Sequence, residues 1–357
     1  MNFHTIDFEI TTACNAACPL CPRTESFNNR DLRDYLERDL IKNVVDSLPD
    51  RYYWFNFKGD LGDCIVHRNV IDIFKDICEL RKDRGGFEIE VFTNGGTRTD
   101  LFWKELGMLS NIISNIDNCG LKVYFAIDGL EDTNHIYRVN VNYDKLMSNV
   151  KTYIDNGGRA GWKYIVFNHN EHQIDDARQL SVDLGFESFG KRKSWRNIVT
   201  HTTHSVLPQR VLKEQNKFRQ SKKFTYNQKF IDEHKKNIKI SKSTLAELDF
   251  TDQIHCFYLH EGLIYIGADA TVWPCCQFYD SYRKNETSFM ETLIDYPKEF
   301  NSLNYHSLED ILNTVFFKTL KSRWKKSKDN PLFSKECVKF CSQKGAMAPK
   351  DEKERLI

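Results

Sequence analysis

Cys14, Cys18 and Cys21 leave a gap of three residues and then a gap of two, directly after an apolar run through Ile6, Phe8 and Ile10. A short loop of this kind wraps three thiolates around one inorganic cluster, and iron–sulfur clusters are held by cysteines at such spacing. The next cysteine along the chain is Cys64, so no fourth thiol is close at hand. Three ligands on a four-iron cube leave one iron open to an outside molecule. Structural zinc wants four closed ligands, and only His4 or a distant residue could complete that set.

A second group lies far down the chain: Cys256, Cys275 with adjacent Cys276, and Cys337 with Cys341. Four of these could close around a cluster or a zinc ion, and spacing alone does not choose between Cys275 and Cys276. Eleven cysteines without an export signal are poorly explained by disulfides, which reducing cytosol disfavours. Cys78 falls on an apolar helical face and reads as core. Cys119 falls in an expected loop, and Cys64 stays ambiguous.

The elements that must position the first group alternate from residue 5 to about 195. Apolar runs at Ile6–Ile10, Tyr53–Phe57, Phe87–Phe92, Leu121–Ile127, Lys163–Phe167 and Phe186–Phe189 read as strands. Helical periodicity lies between them, as in Leu36, Leu40, Ile41, Val44 and Val45. The second and third such helices are followed by Gly85-Gly86 and Gly157-Gly158, which suit helix ends. Six βα repeats imply a parallel sheet, curved into an open barrel or left flat. Its ligand site belongs at the C-terminal ends of the strands, where the cysteine loop sits.

From Ile254 a second unit begins, with a hairpin over Gly262–Gly267 and Ala270–Pro274 that delivers Cys275. Ser307-Leu308-Glu309-Asp310 matches a helix capping box. Between Arg210 and Lys242 stand eleven Lys/Arg against three Asp/Glu, with aromatics interspersed. That segment reads as a pair of solvated linker helices or as a basic wall for an acidic partner. The charged end, Lys350 to Arg355, is expected to fray.

At 357 residues, 40% hydrophobic and 28% charged with a formal net charge of +1, the composition is that of an ordinary globular protein. Global charge makes no case for nucleic acid or membrane. No run of about 18 apolar residues and no export signal is present, so the expected location is the cytoplasm.

With its cysteine spacing after a first strand, the sequence resembles the radical S-adenosylmethionine (SAM) superfamily. Leu61-Gly62-Asp63 is similar to the family's Gly-Gly-Glu segment, which receives the amino group of SAM; Cys64 stands where proline is usual. Thr93-Asn94-Gly95, Ala126-Ile127-Asp128-Gly129 with Arg138, and Asn168-His169-Asn170 are similar to its strand-end motifs. Leu20 and Ala126 depart from the family's usual aromatic residue and serine. The resemblance implies an α/β fold, a partial (β/α)6 TIM-like barrel over 1–200. It implies a [4Fe-4S] cluster on Cys14, Cys18 and Cys21, and SAM contacts from Gly62, Asp63, Asn94, Asp128, Arg138, Asn168 and Asn170. The chemistry implied is reductive cleavage of SAM to a 5′-deoxyadenosyl radical that takes hydrogen from a substrate. No general acid or base is needed for cleavage, so no catalytic residue is named.

Cys256, Cys275, Cys337 and Cys341 resemble the ligands of the auxiliary-cluster region called SPASM, in its short twitch form. Val272-Trp273-Pro274-Cys275 matches its hairpin cysteine. This implies a second [4Fe-4S] cluster in a small α+β domain over 251–345, after a basic helical linker at 201–250 and before a charged tail at 346–357. Implied partners are an electron donor such as flavodoxin or ferredoxin, and a peptide or small-molecule substrate. The start at the first strand, without a leader-gripping module, weighs against a peptide. The alternatives are a non-catalytic iron–sulfur electron carrier and a zinc-binding interaction protein.

Overall fold

Parallel strands alternating with helices dominate the molecule, as the repeating apolar pattern requires. The structure is a computed structural model and describes residues 3–26, 33–193, 248–249, 254–326, 337, 341 and 352–355. The chain divides into two compact units, one made of residues 7–224 and 350–357, the other of residues 1–6 and 225–349.

β1 (Thr5–Phe8), of which Asp7 and Phe8 belong to the larger unit, and that unit's β2 (Tyr53–Phe57), β3 (Phe87–Thr93), β4 (Cys119–Ala126), β5 (Arg159–Val166) and β6 (Ser188–Lys193) lie side by side in chain order. The pairs from β2 to β6 are parallel, with Phe57 opposite Val91, Thr93 opposite Phe125 and Val166 opposite Lys193. The sheet is an open one, a partial barrel. On β3 burial alternates: Phe87, Ile89, Val91 and Thr93 are buried while Glu88, Glu90 and Phe92 face a half-exposed inner side. That alternation gives one apolar face for helices and one polar face for a site.

The helices are α1 (Arg38–Asp46), α2 (Val70–Arg81), α3 (Asp100–Ser114), α4 (Tyr143–Asp155) and α5 (Ile174–Asp183). Thr99 and Asn142 cap α3 and α4 through hydrogen bonds from Phe102 N and Lys145 N. Gly85 and Gly157, with φ of 96° and 84°, turn the chain after α2 and α4 as expected. At the end of α2 the fully buried Arg81 guanidinium donates to four carbonyls, those of Leu48, Pro49, Arg51 and Arg84. This clamp fixes the turn leading into β2.

In the smaller unit β7 (Leu263–Ile266) and β8 (Val272–Trp273) form the expected antiparallel hairpin. Leu248–Asp249 pairs antiparallel with Lys325–Lys326. Helices α6 (Cys276–Arg283), α7 (Leu308–Leu312) and α8 (Val315–Lys318) follow. Ser307 caps α7, its hydroxyl accepting from Asp310 N at 3.1 Å. The core is aromatic: Trp273 is fully buried against Tyr282, Phe289, Phe300 and Phe316.

Several expectations need correction. The strand expected at Lys163–Phe167 begins four residues earlier, at Arg159, because Gly161 leaves a gap in the apolar run that the register still spans. Cys119 is not in a loop; it opens β4 opposite Phe87. Cys78 is half-buried rather than core. The charged end does not fray throughout, since β9 (Glu352–Arg355) pairs antiparallel with β6, placing Lys353 opposite Gly190. Alternating charges suit an outermost strand. The basic segment 210–242 lies outside the described residues; of 201–250 only Leu248–Asp249 is described, and it is extended.

Candidate functional site

The three-cysteine loop is built into the C-terminal end of the larger unit's sheet by backbone bonds from three directions. Asp63 N donates to Ala13 O at 2.9 Å, Ala17 N to Val139 O at 2.9 Å and Thr12 N to Asp34 O at 3.1 Å. The loop after β2 is drawn in by Glu9, a fully buried carboxylate whose Oε1 accepts from Leu61 N (2.5 Å) and Gly62 N (2.9 Å). Gly62 has to be glycine, because a Cβ there would lie 1.9 Å from Thr11 O.

These elements surround a cavity of about 390 Å³, a size typical of ligand sites, lined by Cys14, Cys18, Cys21, Gly62, Asn94 and Arg138 among others. Hydrogen-bond donors face the sulfurs. Ala16 N and Asn94 Nδ2 approach Cys14 Sγ at 3.4 and 3.8 Å, and Arg138 Nη1 approaches Cys18 Sγ at 3.7 Å. Burial pushes the Cys18 thiol up to about 11 against the opposing pull of Arg138. Burial, joined by the Asp63 charge, pushes Cys14 higher still. Such thiols are poor free thiolates and gain most from a bound metal that takes the proton's place.

Arg138 and Asp128 act as a unit. Arg138 Nε donates to Asp128 Oδ2 at 2.7 Å, while Asp128 Oδ1 accepts from Ile165 N at 2.6 Å. Burial opposes the charge on Arg138, but Asp128 and Cys18 outweigh it and its pKa lies above the ordinary value. Asp63 Oδ2 accepts from Thr93 Oγ1 (3.0 Å), Asn94 N (2.8 Å) and Asn94 Nδ2 (2.6 Å). Burial leads those bonds and raises its pKa.

Of the expected cofactor contacts, Gly62, Asp63, Asn94 and Arg138 line the cavity and Asp128 reaches it through Arg138. Asn168 and Asn170 do not line it. Asn170 is fully buried, its Nδ2 donating to Asp128 O and Ile165 O and its Oδ1 accepting from Phe167 N. Those bonds turn the chain after β5 and leave the side chain inside the wall. Sequence reasoning missed Glu9, Lys58, Tyr124, Lys163 and Arg192. The signal was Asp7 and Glu9 alternating with Ile6, Phe8 and Ile10, which marks a strand with one polar, site-facing side.

The second group lies within the smaller unit. Burial raises the Cys275 thiol well above its usual value, and Cys337, Cys341 and Cys256 raise it further. His255 N donates to Cys341 O at 3.0 Å. Cys275 stands at the N-cap position of α6 without a side-chain capping hydrogen bond, and the Phe278 backbone only partly opposes the rise. Cys276 is the first residue of that helix, its sulfur 3.8 Å from Gln277 Nε2. Among the described residues no three His, Cys, Asp or Glu side chains are gathered to hold a single metal ion. A tetrahedral zinc would need its thiolates roughly 3.8 Å apart. No helix among the described residues is long and apolar enough to cross a membrane.

Solved structures share this architecture. SuiB from Streptococcus suis bound to S-adenosylmethionine matches 96% of this chain and 71% of its own, with a TM-score of 0.55 and 11% identity. The same protein bound to the precursor peptide SuiA matches with a TM-score of 0.57 and 12% identity over 90% of this chain and 67% of that one. At this identity the likeness is one of fold. A third, anSMEcpe with bound AdoMet and the Cp18Cys peptide, covers 96% of this chain and 90% of its own at a TM-score of 0.53 and 11% identity. No family model and no curated protein matches the chain.

Proposed function

We propose that the protein is a radical SAM enzyme whose active site is the cavity at the C-terminal ends of β1 to β6. The observation that carries this reading is the meeting of Cys14, Cys18 and Cys21 with Asn94 and Arg138 in one cavity. Three thiols, two of them facing hydrogen-bond donors, fit a [4Fe-4S] cluster with one open iron. When bound, the cluster and SAM supply reductive cleavage of the sulfonium and a 5′-deoxyadenosyl radical able to take hydrogen from a substrate. This chain's residues position and shield. Asn94 and Arg138 donate to ligand sulfurs, Glu9 holds the Leu61–Gly62 backbone at the cavity edge, and Phe92, Tyr124, Tyr137 and Tyr164 line it. Asp63 fixes Asn94 through its Oδ2 and lines the cavity beside the place expected for an ammonium.

Cys256, Cys275, Cys337 and Cys341 are proposed to hold a second [4Fe-4S] cluster in a SPASM- or twitch-like unit. The hairpin that delivers Cys275, formed by β7 and β8, supports this reading. An electron donor such as flavodoxin or ferredoxin and a cytoplasmic setting go with this reading. The peptide-bound states of SuiB and anSMEcpe favour a peptide side chain as substrate, with a small molecule next. The test is anaerobic reconstitution with iron and sulfide, then dithionite and SAM, with 5′-deoxyadenosine measured. Formation above a no-protein control is expected; none from a fully reconstituted protein, with candidate peptides present or absent, overturns the reading.

A further inference from the structure

Among the described glycines, all but one turn the chain at a positive φ or stand where a Cβ would come within 3.0 Å of a neighbour. On β5, for instance, Gly161 lies under the Tyr124 ring, 2.5 Å from the Cβ it would carry. Gly190 on β6 is the exception. Its φ lies outside the left-handed region. The nearest atoms to a Cβ there would be Lys163 Cδ at 3.5 Å, Lys163 Nζ at 3.6 Å and Trp162 O at 3.7 Å, all ordinary contacts. Alanine would fit.

A glycine inside a strand weakens it relative to alanine. It marks a bulge, a bend, or the close approach of a ligand or another backbone. The register excludes a bulge. Phe189, Gly190 and Lys191 pair without a break with Trp162, Lys163 and Tyr164 of β5, and with Glu354, Lys353 and Glu352 of β9. The backbone atom closest to the missing Cβ, Trp162 O, belongs to the paired strand, so no further backbone crosses here. Phe189 is buried against Trp162 and Tyr164. Alternation turns Gly190 to the opposite face, where it lines the same cavity as the three cysteines. The surfaces beside it are apolar. The Lys163 methylene stem lies alongside, and the Tyr124 ring, its centre 5.1 Å from Lys163 Nζ, stacks on Phe92 at 5.0 Å and 13°. Both rings also line the cavity.

We infer that Gly190 is a specificity-determining residue: it leaves the cavity wall one side chain short, and a bulky apolar side chain of a peptide substrate lies against the β6 backbone there. The inference rests on the radical SAM reading of this cavity and on a peptide as its substrate, and it gives the substrate residue a chemical class. The hollow offers methylene and aromatic walls, which reward an apolar group for leaving water. Every side chain larger than hydrogen at position 190 takes that space away. The other molecule that could use the space is SAM itself, and the experiment separates the two.

Anaerobically reconstituted wild type, Gly190→Ala and Gly190→Leu are titrated with N-acetylphenylalaninamide, N-acetylleucinamide and N-acetylglycinamide, and separately with SAM, with iron content and thermal melting recorded for each. Wild type is expected to bind the two large amides about tenfold more tightly than the glycine amide. Gly190→Leu should weaken the large amides by about tenfold or more, with SAM affinity unchanged within about threefold. Gly190→Ala should weaken them by about two- to fivefold and raise the melting temperature by about 1–3 °C, because alanine suits the strand better. Where Gly190→Leu loses iron or melts early, Gly190→Ala decides alone: weaker amide binding at an unchanged or raised melting temperature supports the inference, and unchanged binding overturns it. Equal binding of the large amides by wild type and Gly190→Leu, or no preference for them in wild type, overturns it. So does a parallel loss of SAM affinity, which would give the space to SAM. A lowered melting temperature in Gly190→Ala also overturns it, since the glycine would then serve the fold. Wild type that prefers the large amides through Gly190 yet never binds SAM leaves the hollow standing and removes the radical SAM reading instead.

Discussion

The two cysteine groups solve different problems. Around Cys14 and Cys18 the partners are unlike one another: a guanidinium, a carboxamide, a backbone amide and an open cavity. Around Cys275 the main partners are alike, namely Cys337, Cys341 and Cys256, with one backbone N–H from Phe278. Three thiols that all act on Cys275 suit the proposed set completed by its own members. Cys14 and Cys18, facing donors, line a cavity together with Cys21, which suits the proposed set completed by an outside ligand. The difference teaches that ligand count alone does not separate an electron store from a reaction centre; what surrounds the sulfurs does.

The largest expected effect comes from breaking the open set. Cys18→Ala should reduce 5′-deoxyadenosine formation to background and lower reconstituted iron from about eight to about four per chain. Retained cleavage would erase the contrast. The next sharpens the closed set: Cys275→Ala should also lose about four irons but keep SAM cleavage, whereas Cys276→Ala should keep both. Equal iron loss in the two variants, by iron analysis and electron paramagnetic resonance, would show that the helix end does not select Cys275. A smaller effect is expected from Arg138→Gln. It removes the donor to Cys18 and leaves Asp128 buried without its partner, costing about 10–100-fold in activity or cluster retention. The closed set's iron should be untouched.

Much of this contrast was legible in the chain because it lies in local signals. The cysteine spacing, the strand-end Asn94 and Asp128, and the capping box at Ser307 each depend on residues close in sequence. The fold followed from periodicity for the same reason, down to the glycine stops after α2 and α4. What was not legible depends on register. Nothing near Lys163 says that it stands beside Gly190, or that Tyr124 covers Gly161, because parallel pairing joins residues dozens of positions apart. Asn170 misled in the opposite way. A polar residue at a strand end reads as a ligand contact, yet its amide was needed to satisfy the turn that ends β5.

The smallest expected effect concerns how the open set is propped. His67 follows the short turn after Asp63, with Nε2 3.1 Å from Leu36 O and Nδ1 accepting from Asn69 N at 3.2 Å. Both bonds are satisfied only by the neutral ring with hydrogen on Nε2. Burial, aided by Arg68 and Arg98, holds its pKa below the ordinary 6.5. In the unfolded chain the ring therefore takes up a proton at higher pH than in the folded one. The stabilisation is fully present above about pH 6.5 and is lost as pH falls from there toward the folded value. Urea melts at several pH values between 7.5 and 5, for wild type and His67→Gln, should show a steeper acid loss in wild type. The four-thiol set should keep its iron over that window while the three-thiol set weakens. Identical pH slopes for the two proteins would show that the loop carrying Gly62 and Asp63 does not depend on a neutral His67.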